Sequence, residues 1–191
     1  MIAFFLGNNV KAFEEPQYEV VALSDGYEVR YYQDRLAAEA SGALSANGAF
    51  RRLFKYNSGA NTTSSKVEMT VPVTQFVTNN TTFPISTSSE RHMQFYLPSK
   101  LTYDTAPIPI DPEITIITIE GGYYAVSEYT GRSTNNKFDR QQRLLVAALE
   151  RDNVIQISTP IKATYNGPLT LPFKRRNEVM FRIKWQGRIS N

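Results

Sequence analysis

The sequence predicts an α+β fold in which two similar halves build one curved sheet or barrel, with a helix packed against each half. Three observations carry the prediction. Two segments show the apolar spacing of an amphipathic helix, Ala49–Tyr56 and Asn136–Arg151. Alternating or β-branched strand patterns surround each of them. Both halves read strand, strand, helix, strand, strand, with Gly26 and Gly121, and Pro72 and Pro160, in corresponding places. The chain is thus expected to be one domain, 1–191, with halves at about 18–100 and 113–187.

The elements follow in order. Glu14-Glu15-Pro16 closes an extended leading segment, because a residue before proline is kept out of the helical region. Tyr18–Leu23 is a strand stopped by Ser24-Asp25-Gly26, which suggests a hairpin with Tyr27–Tyr32. There Tyr27, Val29 and Tyr31 share one face, and Glu28, Arg30 and Tyr32 the other. Leu36–Leu44 is alanine-rich, yet the hairpin signal before it favours a strand. In the first helix Ser45 or Asn47 supplies the N-cap and Gly59 the stop. Ala49, Phe50, Leu53 and Phe54 form its apolar stripe. Lys66–Val73 reads as a strand with Val67, Met69, Val71 and Val73 on one face, and Pro72 as an edge or bulge. Residues 78–90 read as an exposed, mobile Thr/Asn/Ser loop, Arg91–Leu97 as a strand, and 101–113 as a proline-rich connector.

In the second half, Glu113–Glu120 and Tyr123–Tyr129 are strands joined by a turn at Gly121-Gly122. The helix Asn136–Arg151 presents Phe138, Leu144, Leu145, Ala148 and Leu149 to the core. Val154–Thr164, with Pro160 inside it, and Glu178–Trp185 complete the set.

Composition narrows the function. No cysteine is present, which removes thiol catalysis, disulfides and thiolate metal sites. The net charge is +3, and the one basic cluster, Lys174-Arg175-Arg176, is too small for a nucleic-acid footprint. No apolar run is long enough to span a bilayer. Ile2–Leu6 lacks the basic flank of a signal peptide, so a cytoplasmic protein is expected; a processed N-terminus would make it secreted or organellar. Asn61, Asn79 and Asn80 each open an Asn-x-Thr sequon, relevant only in a secreted chain. The nucleophile-elbow, phosphate-loop and zinc-protease motifs are absent, so no enzyme is expected.

Four strings recur in a telling order: Gly26-Tyr27-Glu28-Val29-Arg30-Tyr31-Tyr32; Phe54-Lys55-Tyr56 with Gly59 and Asn61; Lys66-Val67-Glu68-Met69-Thr70-Val71-Pro72-Val73; and Arg175-Arg176-Asn177-Glu178-Val179. Together they resemble the SOUL/heme-binding-protein family, over roughly residues 16–185. The resemblance implies a distorted β-barrel of two pseudo-symmetric halves flanked by two helices. It implies non-covalent binding of heme or another tetrapyrrole in a hydrophobic cleft beside the first helix. At the matching positions stand Phe50, Leu53 and Phe54 as apolar wall and Lys55 as a partner for a propionate. Family members often have methionine in place of Phe50 and Phe54. Some carry a histidine, proposed as iron ligand, where this chain has Tyr31; tyrosinate can ligate ferric heme.

Each of these residues also has a plainer reading. Tyr31 shares its strand face with Tyr27 and Val29 and so reads as core, and Phe50 and Phe54 would be core in any amphipathic helix. Met69 reads as core, and the sole histidine, His92, as a surface residue on the solvated face with Gln94. The alternatives to tetrapyrrole binding are a module for other flat hydrophobic ligands, hydrophobic cations among them, or a protein-interaction role for the second helix. Oligomeric state is not legible.

Overall fold

A computed structural model of the chain describes residues 13–42, 45–82 and 86–187. The apolar Ile2–Leu6 segment and the end of the third predicted strand at Leu44 lie outside them. Ten strands form one antiparallel sheet: β1 Tyr18–Ser24, β2 Tyr27–Tyr32, β3 Arg35–Gly42, β4 Val73–Thr82, β5 Ser86–Tyr96, β6 Ile114–Ile119, β7 Gly122–Thr130, β8 Ile155–Gln156, β9 Ile161–Thr164 and β10 Arg176–Lys184. Helix α1 spans Ala46–Asn57 and α2 spans Asn135–Arg151. The sheet runs β1-β2-β7-β10-β9-β4-β5-β3-β6, with β8 on the end of β10. It curls into a half-barrel whose edge strands, β1 and β6, do not pair. The predicted α+β distorted barrel is therefore present in open form. No helix of the described residues is long and apolar enough to cross a membrane.

The order reads alike outward from the seam where β4 pairs with β9: β4-β5-β3-β6 one way, β9-β10-β7-β2 the other. Pro72 and Pro160 directly precede β4 and β9 and occupy matching places. Gly26 and Gly121 do not. Gly26 turns the β1–β2 hairpin, whereas β6 and β7 are not paired with each other; β6 pairs with β3, and β7 with β2 and β10. In the sheet order the β6–β7 link matches the β2–β3 link, and the two links touch. Gly121 N–H donates to Asp34 Oδ1 at 2.7 Å, and a Cβ on Gly121 would lie 2.8 Å from the Tyr32 carbonyl oxygen. The arrangement is symmetric; it does not by itself establish that the sequence was duplicated.

Helix α1 packs on β3 and β5, and α2 on β7, β8 and β10, each over its own apolar cluster. Ala49, Leu53 and Tyr56 are buried with Met93, Phe95 and Leu97; Leu145, Ala148 and Leu149 are buried with Val29, Val179 and Phe181. Leu144, expected in the core stripe, is 56% exposed, one residue round the helix from Leu145. A third cluster, with Tyr32, Tyr124, Tyr165 and Met180, is formed by side chains of alternate strand positions. Both faces of β2 are consequently buried, Arg30 and Tyr32 included.

Three predicted elements change. Lys66–Met69 joins no strand ladder among the described residues, and an isolated bridge pairs Thr70 with Glu14; β4 starts only at Val73, after a cis Val71–Pro72 bond. Within the predicted loop 78–90, residues 78–82 and 86–90 instead pair as the far part of the β4–β5 ladder, in register to Thr82↔Ser86, because threonine and serine suit an extended backbone as well as a loop; 83–85 lie outside the described residues. Val154–Thr164 is split by Pro160 into β8 and β9.

Candidate functional site

The wall expected beside the first helix is built from the cap outward. Ser45 Oγ accepts from Gly48 N–H at 3.1 Å and starts α1. Three and four residues apart, Ala49, Leu53 and Tyr56 turn inward, with Leu53 and Tyr56 wholly buried. Phe50 and Phe54 stand on the neighbouring strip and remain 41% and 50% exposed. Their rings are 6.2 Å apart and within 13° of parallel, and Phe50 rests edge-on against Phe95 at 5.3 Å. The plainer reading of both as core is thus set aside. They form an aromatic pair seated on the core but open to solvent.

The cations are less uniform. Lys55 is exposed, whereas Arg52 is committed to Asp111, donating to both carboxylate oxygens at 2.6 and 2.7 Å. Between the N-terminal turns of α1 and α2 lies a groove of about 380 Å³, walled by Ala46, Ala49, Met93, Phe138 and Lys162. Lys162 donates to the Ser133 carbonyl at 2.9 Å, and burial lowers its pKa.

The turn after α1 explains the Tyr-x-x-Gly-x-Asn string. Tyr56 Oη donates to the Pro107 carbonyl at 2.9 Å, tying the helix to the connector. Burial pushes its phenol up to about 12. Gly59 takes φ +113°, which only glycine adopts without strain. Asn61, with no exposure, donates to the Tyr56 and Ser65 carbonyls and accepts from Ser65 N–H and the Thr63 hydroxyl. A side chain so enclosed leaves no room for a glycan, so the sequon at Asn61 is structural. Asn79 is exposed, and the Asn80 side chain lies outside the described residues. The Lys66–Val73 string is likewise a brace: Val67 N–H donates to the Asn57 carbonyl and Thr70 Oγ1 to the Tyr96 carbonyl. Asn57 Nδ2 reaches Met69 Sδ at 3.2 Å, so that thioether is engaged within the fold.

The family these strings suggested can now be tested directly. The sequence profile of the SOUL heme-binding protein family matches residues 13–182. The chain belongs to that family. Among curated SOUL relatives, Heme-binding protein 2 of Homo sapiens is 30% identical over 131 residues, covering 68% of this chain and 62% of that protein. The chain therefore spans less than two thirds of that relative's length. The fold is shared with an uncharacterized conserved protein from Listeria innocua at TM-score 0.59 and 9% identity, covering 91% of this chain and 94% of the other. It is shared with a hydrolase from Listeria innocua at 0.58 and 10%, over 85% and 94%. The EcmrR C-terminal domain follows at 0.57 and 8%, over 87% and 98%. At these identities the likeness is one of fold.

Within this SOUL domain the expected site residues do not all meet. Phe50, Phe54 and Lys55 share the open side of α1, whereas Leu53 is sealed in the core beneath them. Tyr31 is elsewhere. It lies half-buried on β2 with its ring 5.0 Å from that of Tyr123, and β7, β10, β9 and β4 separate it from β5 in the sheet. His92 is not a surface residue. It stacks on Phe76 at 4.7 Å, lies 2.9 Å from Thr78 Oγ1 and 3.2 Å from Glu39 Oε1, and Gln94 beside it is buried. The face opposite Met93 and Phe95 looks into the half-barrel rather than into water.

Sequence reasoning passed over the interior charge network. Glu178, wholly buried, accepts from Arg30 at 3.0 Å, Arg176 at 2.8 Å and Tyr165 Oη at 2.7 Å. Arg176 also pairs with Glu15 at 2.9 Å and stacks on the Tyr165 ring at 3.7 Å. Burial would lower Arg30, but Glu178, Tyr32 and Glu28 together outweigh it and hold the guanidinium pKa above its ordinary value. Tyr165 is raised by burial and by Glu178. The signal was present in Arg175-Arg176-Asn177-Glu178-Val179, where strand alternation turns a carboxylate inward and demands counter-charges.

Proposed function

We propose that this chain binds heme or a related tetrapyrrole non-covalently on the open face of α1, as a cytoplasmic carrier, buffer or sensor that performs no reaction. The observation carrying this reading is the near-parallel Phe50–Phe54 pair, exposed on a helix whose adjacent residues are fully buried. Membership of the SOUL family and the name of its human relative support the ligand class. A planar macrocycle set against these exposed rings gains from apolar burial and aromatic contact, and Lys55 offers a cation at the rim.

The residues fit the macrocycle and not an axial bond. Bound heme would supply its own spectroscopic and redox properties. Around α1 the donors are engaged: Met69 by Asn57, His92 by Thr78 and Glu39. No cluster of His, Asp and Glu among the described residues could hold a metal ion. Glu178 is neutralised by two guanidiniums, which argues against a general base and removes the natural counter-ion for a hydrophobic cation. Two residues of the basic cluster are engaged within the fold: Arg175 donates to the Thr170 and Pro168 carbonyls, and Arg176 to carboxylates. The α2 stripe faces the core, so a docking role for it loses its basis.

Titration with hemin is the test. A saturable Soret change near one equivalent is expected, and a Tyr31→Phe variant should give the same spectrum. No change at micromolar hemin would overturn the reading.

A further inference from the structure

A larger cavity, about 520 Å³, opens between the leading segment, the β2–β3 link and the turn that follows β5. None of the residues that wall it belongs to α1. Among the described residues, Arg35, the first residue of β3, is the only lysine or arginine in the wall. Its guanidinium carbon stands 4.2 Å from the ring centroid of Tyr32, 5.2 Å from Tyr124 and 5.3 Å from Tyr96. Its Nε and Nη2 are buried and have no hydrogen-bond partner among the described residues.

The isolation of Arg35 is specific. The other interior guanidiniums, Arg30 and Arg176, both reach Glu178. Three acids do border the cavity, but each is engaged elsewhere. Glu14 accepts from Ser99 N–H at 2.7 Å, Asp34 from Gly121 N–H at 2.7 Å, and Glu15 from Arg176 at 2.9 Å. Arg35 thus keeps a permanent charge inside an aromatic cage with no carboxylate among the described residues to meet it. A planar guanidinium suits a carboxylate, which it can grip through two parallel bonds. A further void of about 10 Å³ is bounded by the same Glu15, Pro16, Arg35 and Tyr96. The remaining wall is largely apolar, with Leu36, Leu97, Leu101 and Tyr103. A volume of this size falls in the range of small-molecule sites.

We propose that this cavity binds an amphipathic organic carboxylate, its head at the Arg35 guanidinium and its apolar body against Leu36, Leu101 and Tyr103. The site is separate from the α1 wall and does not rest on tetrapyrrole binding. An apolar body alone would not need an arginine, and a bare oxyanion would not need the leucines.

The probes are 1-pyrenebutyrate and its neutral counterpart 1-pyrenebutanol, titrated calorimetrically into the full chain. The carboxylate should bind at least about 10-fold more tightly than the alcohol, the discrimination expected of a charged hydrogen-bond pair. Arg35→Gln should bring the two within about twofold of each other, and Arg35→Lys, which keeps the charge but not the fork, should fall between. Tyr103, exposed on the wall, gives a variant with little risk to folding: Tyr103→Ala should weaken both probes alike. Prior saturation with hemin should leave pyrenebutyrate binding intact. Equal affinities in the native chain would overturn the proposal, as would a preference that survives Arg35→Gln in a protein of unchanged melting temperature. Displacement by one equivalent of hemin would refute a separate site. Displacement by millimolar inorganic phosphate would refute an amphipathic one. If Arg35→Gln does not fold, the native carboxylate-to-alcohol ratio and Tyr103→Ala decide.

Discussion

Replacing Phe54 by alanine removes half of the aromatic surface on α1. The residue is 50% exposed, and a phenylalanine side chain carries about 200 Å², so about 100 Å² is open to a ligand. At about 25 cal/mol per Å² the ceiling on what that area contributes is about 2.5 kcal/mol. A flat ligand covers one side of the ring, which halves the figure to about 1.2 kcal/mol, or roughly an eightfold rise in Kd. The stability cost should stay near 1 kcal/mol, well under the roughly 3–5 kcal/mol of a fully buried Phe→Ala change. Hemin titration at the Soret band, beside urea denaturation of the same samples, separates the two quantities. A loss of several kcal/mol in stability with hemin affinity unchanged would refute the reasoning, because Phe54 would then be core and not wall.

Asn61→Ala should cost about 2–3 kcal/mol in urea denaturation, since four hydrogen bonds vanish and the Tyr56 and Ser65 backbone groups lose their partners; a loss under 0.5 kcal/mol would remove its role as turn organiser. Glu178→Gln leaves Arg30 and Arg176 without their shared charge, and a destabilisation of about 3–5 kcal/mol is expected. Retention of native stability in that variant would show that the network is not held by charge. Asp152 accepts from Arg151, Ser24 and Tyr27, and the Arg151 bonds above all hold its carboxyl well below the ordinary range. A lowered folded pKa confers stability above the unfolded value of about 4 and loses it as pH falls from there towards the folded one. The stability gap between the native chain and Asp152→Asn should therefore be widest near neutrality and close below about pH 4; a gap constant down to pH 2 would contradict this.

Local pattern was a sound guide wherever one face of an element meets a core and the other meets water. The α1 cap at Ser45, the stop at Gly59, the α2 stripe and the β1–β2 hairpin are all legible in that way. It failed where water was assumed and protein is present. His92 and Gln94 alternate correctly with Met93 and Phe95, but their face lines the inside of a half-barrel, so polarity did not mean exposure. The β4–β5 hairpin was missed for a related reason, since threonine, serine and asparagine are compatible with a loop and with a ladder. Pairing partners decide between the two, and they are remote in sequence.

From the residues alone came the α+β class, the family strings and the presence of an apolar strip on α1. Periodicity names which residues share a strip, and it cannot say what covers that strip. Only the tertiary structure decided that Phe50 and Phe54 lie open while Leu53 is sealed, because that depends on how α1 rolls on β3 and β5. It also separated Tyr31 from α1, since sheet order is set by long-range strand pairing. Arg35 shows the limit most clearly. Nothing in its neighbours along the chain marks it, and its cage is assembled from β2, β5 and β7, segments that meet only when the sheet curls.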